Sequence, residues 1–575
     1  MASRRAKTIR EEPTPGSPWH RDTPRQGRFA ALSLSAAGLA VVLIWGVWRH
    51  ACAAAEPAIP PAGPPVQIGV VADSTHVRII AYGGFDILSS AGGAVFTCAG
   101  PNVLRFSASA GPPDASFYYV GAAGFEKRQK PYAHRMLGQL RDALKVGMEI
   151  LLTSDKLAFP RGRPGQGDRL LVCVGPFNDI KLAEQWQQYL ARTYPAYIIR
   201  DASKRAMSEI HLYDHTNRLL ARMKDSVTIR LKDDKQTLTA EPLESSATAW
   251  PTQRRTGNRY HGTLEIHLND QGRLTAINAL SLEEYINGVV PSEIGGSAPE
   301  ASLKAQAIAA RSEAFHKLFS EHHGNDLFDF CDKTHCQAYH GVEDQAAASL
   351  GAVAATRGLV LTYADQVVDA VYCHSCGGVS ADSTDVWRST NYPFYQAACD
   401  RRFGRSSPNL ASERQAESWI SSRPDVFCNS DQRGFPDYAR KYFRWVRTLD
   451  GASLQRLINN HQNVGQILDV QIAERAESGR VRVLRVVGSK GSFKFTGIEN
   501  VCTILNDPPS SFFVLDVEHE KANPYAVKSL TIRGGGFGHG VGLCQMGAYM
   551  MGTRGYAFEE ILAHYYPKTS LRKAY

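Results

Sequence analysis

Twenty consecutive residues without a charge, Phe29 to Trp48 (FAALSLSAAGLAVVLIWGVW), decide where the rest of this chain folds. A helix of that length spans the hydrocarbon layer of a bilayer, and basic residues ahead of it favour a cytoplasmic N-terminus. Residues 1–28, read as a basic cytoplasmic tail, hold seven Arg and Lys against three acids, which is +4 of the chain's net charge of +9. The remaining charge is thinly spread, with no dense basic stripe, so nucleic acid is excluded as a partner. The alternative to an anchor over 29–48 is a cleaved signal peptide, because Ala51–Glu56 (ACAAAE) offers small residues at a cleavage position. Either way the bulk of the chain is extracytoplasmic. There disulfides are permitted and free thiols are a liability, which bears on its 11 cysteines.

At 575 residues, 43% apolar and 21% charged, the chain divides into two to four globular domains. Residues 56–67 (EPAIPPAGPPVQ) read as a proline-rich linker, unable to form helix or central strand. Residues 68–110 read as short strands with glycine turns, a small β unit. Over residues 116–202 the order strand, helix, strand, strand, helix, strand predicts a ferredoxin-like βαββαβ module, its first helix in KPYAHRMLGQLRDALK. From about 226 the chain turns β-rich, and GTLEIHLNDQGRLTAIN reads as a hairpin. A short helix, SLEEYINGVV, is predicted to stop at Pro291. A second helix is predicted to start at Ser297, with Glu300 at capping-box spacing. Leu303, Ala307, Ala310, Ala314 and Leu318 trace its buried face, while Lys304 and Arg311 share another.

Glu293 lies between these helices, after Val289, Val290 and Pro291 and before Ile294. Apolar surroundings disfavour the charged carboxylate and raise its pKa, as a general acid near neutral pH requires. A following helix N-terminus would favour the anion instead. A solvent-exposed turn glutamate is the plainer reading of the same residues.

Five segments, LSLEEYINGVVPSEI, LKAQAIAARSEAF, THCQAYHG, CGGVSADSTDVW and GGGFGHGVGLCQMGAYMMGTRGYAFEEILAHYY, together resemble the SpoIID/LytB family over roughly residues 226–399 and 528–567. The resemblance implies an α+β catalytic domain over 226–575, with an insertion at about 400–527. It also implies lytic transglycosylase activity on peptidoglycan glycan strands that lack stem peptides. Glu293 matches the glutamate of the family's VV-x-x-E motif and would be the catalytic acid. Such chemistry needs one carboxylate, and no cofactor, because the sugar's own 6-hydroxyl replaces the second group that ordinary glycosidases use. Lys304, Gln306, Arg311, Ser375, His539 and Gln545 are the candidate substrate ligands, with His539 and Gln545 also candidates to orient Glu293. LLVCVGPFNDIKLAEQWQQYL and AYII resemble the second half of a SPOR domain, which would bind denuded glycan. A cell-wall amidase is a further implied partner, since some relatives are described as amidase activators; a non-enzymatic glycan-binding scaffold is the rival function.

RGGGFGHGVGLCQMGA (Arg533–Ala548) is no nucleotide loop: Val541 stands where a P-loop needs lysine. Its glycines would let backbone approach a ligand or Glu293 closely. His322, His323, Cys331, His335, Cys336 and His340 crowd into one short segment. His323 (or His322), Cys331, His335 and Cys336 would make a closed structural zinc site, and a Cys331–Cys336 disulfide is the equal alternative. Cys373, Cys376, Cys399 and Cys428 are expected to form structural disulfides of undecided pairing, since no thioredoxin pattern surrounds the C-x-x-C.

Overall fold

The structure, a computed structural model, describes residues 62–109, 118–126, 150–152, 157–158, 169–177, 180–191, 197–201, 209–224, 226–243, 257–269, 272–320, 322–323, 326–387, 392–402, 406–521 and 523–575. The basic tail, the apolar run 29–48 and most of the proline-rich stretch lie outside the described residues. Among the described residues no helix is long and apolar enough to cross a membrane.

Alternating apolar residues between 65 and 281 build two sheets over one core. The strands are β1 (Pro65–Ser74), β2 (His76–Ala81), β3 (Phe85–Ser89), β4 (Ala94–Cys98) and β5 (Asn102–Ala108). After an inserted module containing β6 (Tyr118–Glu126), β7 (Ile150–Leu152), β8 (Leu157–Ala158), β9 (Arg169–Phe177), helix α1 (Ile180–Leu190) and β10 (Tyr197–Asp201), they continue with β11 (Ile210–Tyr213) and β12 (Leu219–Met223). The set is completed by β13 (Ser226–Leu231), β14 (Leu238–Pro242), β15 (Arg259–Tyr260), β16 (Thr263–Leu268), β17 (Leu274–Ser281) and the short β18 (Phe330–Cys331). One sheet runs β18-β1-β17-β16-β13-β3-β4 and the other β12-β11-β5-β2-β14-β15. Val77 and Ile79 from one and Ile87, Ile229 and Ile266 from the other bury in the same core.

Residues 68–110 are therefore not the separate small β unit expected. They supply strands to both sheets, and β1 pairs antiparallel with β17 from Pro65↔Ser281 onwards. Nor does the proline-rich linker run to 67, because β1 begins at Pro65 and lies between β17 and β18. Proline is tolerated as the first residue of a strand. The break in local sequence comes from the insertion: β5 and β11 are antiparallel neighbours, with Ala108 opposite Ile210. Ser109 N–H bonds Glu209 C=O at 2.9 Å, closing the stem of everything between. Inside it, the strands are ordered β7-β9-β6-β10-β8 with every neighbouring pair antiparallel. The first helix expected in this module falls outside the described residues.

Helix α2 (Leu282–Ile294) follows β17 directly, started by a capping box in which Ser281 and Glu284 exchange hydrogen bonds. It does not stop at Pro291. It runs one further turn to Ile294 and ends at Gly295, whose φ of 86° favours glycine. Burial of Val289, Val290, Pro291 and Ile294 outweighs the backbone bond the proline forgoes. Helix α3 (Glu300–Phe319) begins at Glu300 with Pro299 as its cap residue, so the capping box expected at Ser297 does not form. Leu303, Ala307, Ala310 and Ala314 pack into the sandwich core as expected. Ala305, Ile308 and Ala309 pack on the other side, into a second core with Leu543, Met546, Ile561 and Tyr566. The helix is thus the shared wall of two cores. The insertion about 400–527 has a third core of its own, built with the strand Val527–Gly534 that leads into the glycine-rich loop.

Candidate functional site

Glu293 stands on the last turn of α2, where the helix meets the loop after β18 and the helix Gln545–Thr553. Its Oε1 accepts a hydrogen bond from the Ala338 N–H at 2.7 Å, and its Oε2 accepts one from Gln545 Nε2 at 3.0 Å. Burial raises its pKa, and the Ala338 and Gln545 bonds oppose that only in part. The Tyr372 phenol lies beside the same carboxyl, yet its hydroxyl has no protein partner of hydrogen-bonding geometry. Gly288, one turn before Ser292, permits the close packing: a Cβ there would sit 2.5 Å from the Tyr339 ring.

A second acid, Glu313 on α3, is buried and already engaged. Its Oε1 accepts from Lys317 Nζ at 2.6 Å and its Oε2 from Gln337 Nε2 at 3.1 Å. Burial lifts its pKa to about 7. Gln337 also donates to Ala310 C=O at 3.1 Å, which ties the loop carrying Ala338 to α3.

Of the residues singled out from sequence, only Gln545 touches Glu293 through a hydrogen bond. Arg311 is fully buried and forms a two-pronged pair with Glu283, at 2.8 and 2.9 Å, so it holds α2 to α3 and meets no substrate. Lys304 pairs with Glu300 at 2.6 Å along the same helix. Gln306 is fully buried, with neither amide atom hydrogen-bonded to protein. Ser375 is buried in a two-way backbone bridge with Phe537. His539 uses both ring nitrogens on backbone: Nδ1 accepts from Val541 N–H at 3.1 Å and Nε2 donates to Tyr372 C=O at 2.8 Å. It thereby positions Tyr372, and burial pushes its pKa down to about 4. The glycines of the C-terminal loop serve packing within the chain. Gly536, Gly538, Gly540 and Gly542 all have positive φ, and a Cβ on Gly542 would lie 2.0 Å from Val371 C=O.

The neighbourhood also holds residues that sequence reasoning missed: Tyr372, Gln337, Ala338, Glu313 and Tyr438, whose hydroxyl donates to Ile294 C=O at 3.4 Å. Tyr438, Phe537 and Trp387 leave much of their rings exposed. Phe537 stacks on Tyr442 at 4.5 Å and meets His374 at 5.4 Å. Gln337 and Ala338 lie within the quoted THCQAYHG and Glu313 within LKAQAIAARSEAF, whereas no motif or local periodicity marks Tyr372.

Directly before Gln337, His322, His323, His335 and Cys336 offer donor atoms all within 4.8 Å of one another. His323 Nε2 is 3.0 Å from Cys336 Sγ, and its Nδ1 is held by Asp326 at 2.6 Å. Cys331 Sγ is 3.7 Å from His335 Nδ1. The loop Asp332–Cys336 turns tightly enough to bring the adjacent His335 and Cys336 to one point, 3.8 Å apart. Cys331 and Cys336 are both free thiols, as are Cys373, Cys376, Cys399 and Cys428, so the disulfides expected among the latter are absent from the structure. Cys376 and Cys428 approach to 3.6 Å, against the about 2.05 Å of a bond.

Residues 270–363 match the SpoIID family, described as stage II sporulation protein, and residues 381–542 match a domain of unknown function (DUF8618). An uncharacterized protein of Brachyspira hyodysenteriae is 26% identical over 316 residues, covering 54% of this chain and 71% of the relative. The amidase enhancer of Bacillus subtilis is 28% identical over 301 residues, or 50% of this chain, which spans only 40% of that relative's length. Stage II sporulation protein D of the same organism is 25% identical over 315 residues, covering 52% of this chain and 76% of the relative. The chain is thus similar to the SpoIID family over residues 270–363, and Glu293, Glu313 and Ala338 lie within those matched residues.

Proposed function

We propose that this protein is a peptidoglycan lytic transglycosylase with Glu293 as its one catalytic acid and base. The observation that carries the reading is the state of that carboxyl: its pKa is raised by burial, and each oxygen is fixed by one donor. Protonated Glu293 would give its proton to the glycosidic oxygen as the C1–O bond breaks. The sugar's own 6-hydroxyl would then form the new bond to C1 and return a proton to the carboxylate, leaving a 1,6-anhydro end and consuming no water. The nearby acid Glu313 supports a one-carboxylate scheme, since its two oxygens are bonded to Lys317 and Gln337. Exposed Phe537, Tyr438 and Trp387 suit the apolar faces of sugar rings.

The thiol and imidazole donors beside Cys336 fit a structural zinc ion, with Asp326 orienting His323 as an outer carboxylate does. His323, His335 and Cys336 would hold it, with His322 or Cys331 as the fourth ligand, and it would stiffen the loop that presents Ala338 to Glu293. The inserted module, with its strand order and the LLVCVGPF segment, fits a SPOR-like glycan binder. Residues 29–48 would anchor the chain with all of these parts outside the cytoplasm.

Replacing Glu293 by Gln should lower the cleavage of peptide-free glycan strands by about 10²–10⁴-fold, the usual worth of a general acid, while strand binding persists. Undiminished cleavage would remove Glu293 from the mechanism. The relative named amidase enhancer favours one second reading, a non-enzymatic partner that stimulates a wall amidase. Stimulation of an amidase by wild type and Glu293→Gln alike, with no cleavage by either, would select it.

A further inference from the structure

We propose that Cys376, Cys428, Cys544 and Asp400 form a second, closed metal site that takes one structural zinc ion. The four side chains come from four separate stretches of chain, and all are buried to 2% exposure or less. Their donor atoms lie within 4.8 Å of one another. A tetrahedral zinc with bonds of about 2.3 Å to sulfur and about 2.0 Å to oxygen has edges of about 3.8 Å between sulfurs and about 3.5 Å between sulfur and oxygen. The observed separations are 3.6 Å for Cys376 Sγ to Cys428 Sγ and 3.5 Å for Cys376 Sγ to Asp400 Oδ2.

The surroundings are those of a ligand set. Asp400 Oδ1 accepts from Tyr565 Oη at 2.8 Å and lies 3.3 Å from His564 Nε2, which leaves Oδ2 turned towards the sulfurs. Cys544 Sγ accepts two backbone N–H groups, from Cys376 at 3.3 Å and Gly547 at 3.4 Å, as a thiolate does. Gly547 has no room for a side chain: a Cβ would lie 2.8 Å from Asp400 Oδ2. Three thiols also count against a disulfide, because pairing any two strands the third sulfur beside a buried carboxylate. Zinc would displace the protons of Cys376 and Cys428, and of Cys544 where protonated, with Asp400 already ionised. The surplus negative charge would be met by the buried Arg480, whose guanidinium donates to Cys376 C=O and Val379 C=O, each at 3.3 Å.

The site has a consequence for Glu293. Cys544 immediately precedes Gln545, and Tyr372–Cys373 pairs in parallel with Leu543–Cys544. A metal here would fix both Gln545 and the strand bearing Tyr372, much as the cluster at Cys336 backs Ala338.

The test is elemental analysis of the full chain purified without reductant or chelator, comparing a Cys331→Ser/Cys336→Ser variant with one that adds Cys428→Ser. The first should retain one zinc ion per chain and the second should lose it. Cobalt exchanged into the first should give the intense visible bands of tetrahedral cobalt and the near-ultraviolet charge transfer of thiolate ligation. Should the triple variant fail to fold, alkylation and peptide mapping of the first variant still decides. Three metal-protected thiols, freed for alkylation by a chelator, support the site. A Cys376–Cys428 disulfide, or no zinc in that variant, overturns it.

Discussion

Two hydrogen bonds hold the Glu293 carboxyl, and only one of them comes from a side chain. Gln545 donates to Oε2 and so favours the anion, while burial favours the acid. Replacing Gln545 by Ala should therefore raise the Glu293 pKa further and move the alkaline limb of the rate profile to higher pH. The acid form would then survive higher pH, yet the maximum rate should fall by about 10–100-fold, as expected for loss of one bond to a charged group. A pH–rate profile of the variant checks this, and a limb that moves to lower pH would contradict it. At this scale the sequence singled out Glu293 and Gln545, which the structure brings into contact, but it could not show that Arg311 is a core residue. An arginine on a helix face reads the same whether it points at substrate or at a buried partner, and Glu283 lies far from it in the chain. The backbone N–H of Ala338 carries no signature at all.

At the scale of elements, α2 and α3 are clamped by the fully buried Arg311–Glu283 pair, which Tyr575 and the Gly358 N–H also join at Glu283 Oε1. Arg311→Met leaves a buried carboxylate without its partner and should cost about 3–5 kcal/mol of stability. Adding Glu283→Gln should recover much of that loss. Chemical denaturation of both variants would show it, and a single variant as stable as wild type would exclude the clamp. Periodicity correctly marked Leu303, Ala307, Ala310 and Ala314 as core, yet missed that α3 is buried on its opposite side too. Alanine at 305 and 309 reads as neutral in a periodicity count and becomes core only because a second layer packs against it. Pro291 misled for a related reason: a tertiary burial gain overrode a local stop signal.

Across the whole molecule, the largest departure from the sequence reading is the sandwich split by its inserted module. Strand periodicity identifies β1–β5 as strands but says nothing of partners more than a hundred residues away. The stem geometry makes a test available. Because Ser109 and Glu209 are hydrogen-bonded, excising residues 110–208 and joining the ends with a short glycine turn should leave the sandwich folded and the Glu293 site active. Retention on denuded glycan should weaken. Loss of folding would mean that the module is part of the core, and unchanged retention would leave it without a binding role.

The central claim is that one carboxyl does the work of two and that water takes no part. Mass spectrometry of the ends produced from peptide-free glycan strands tests it most directly. The wild-type protein should give 1,6-anhydro-muramic ends and Glu293→Gln none. Reducing ends carrying the oxygen of labelled solvent water would contradict it.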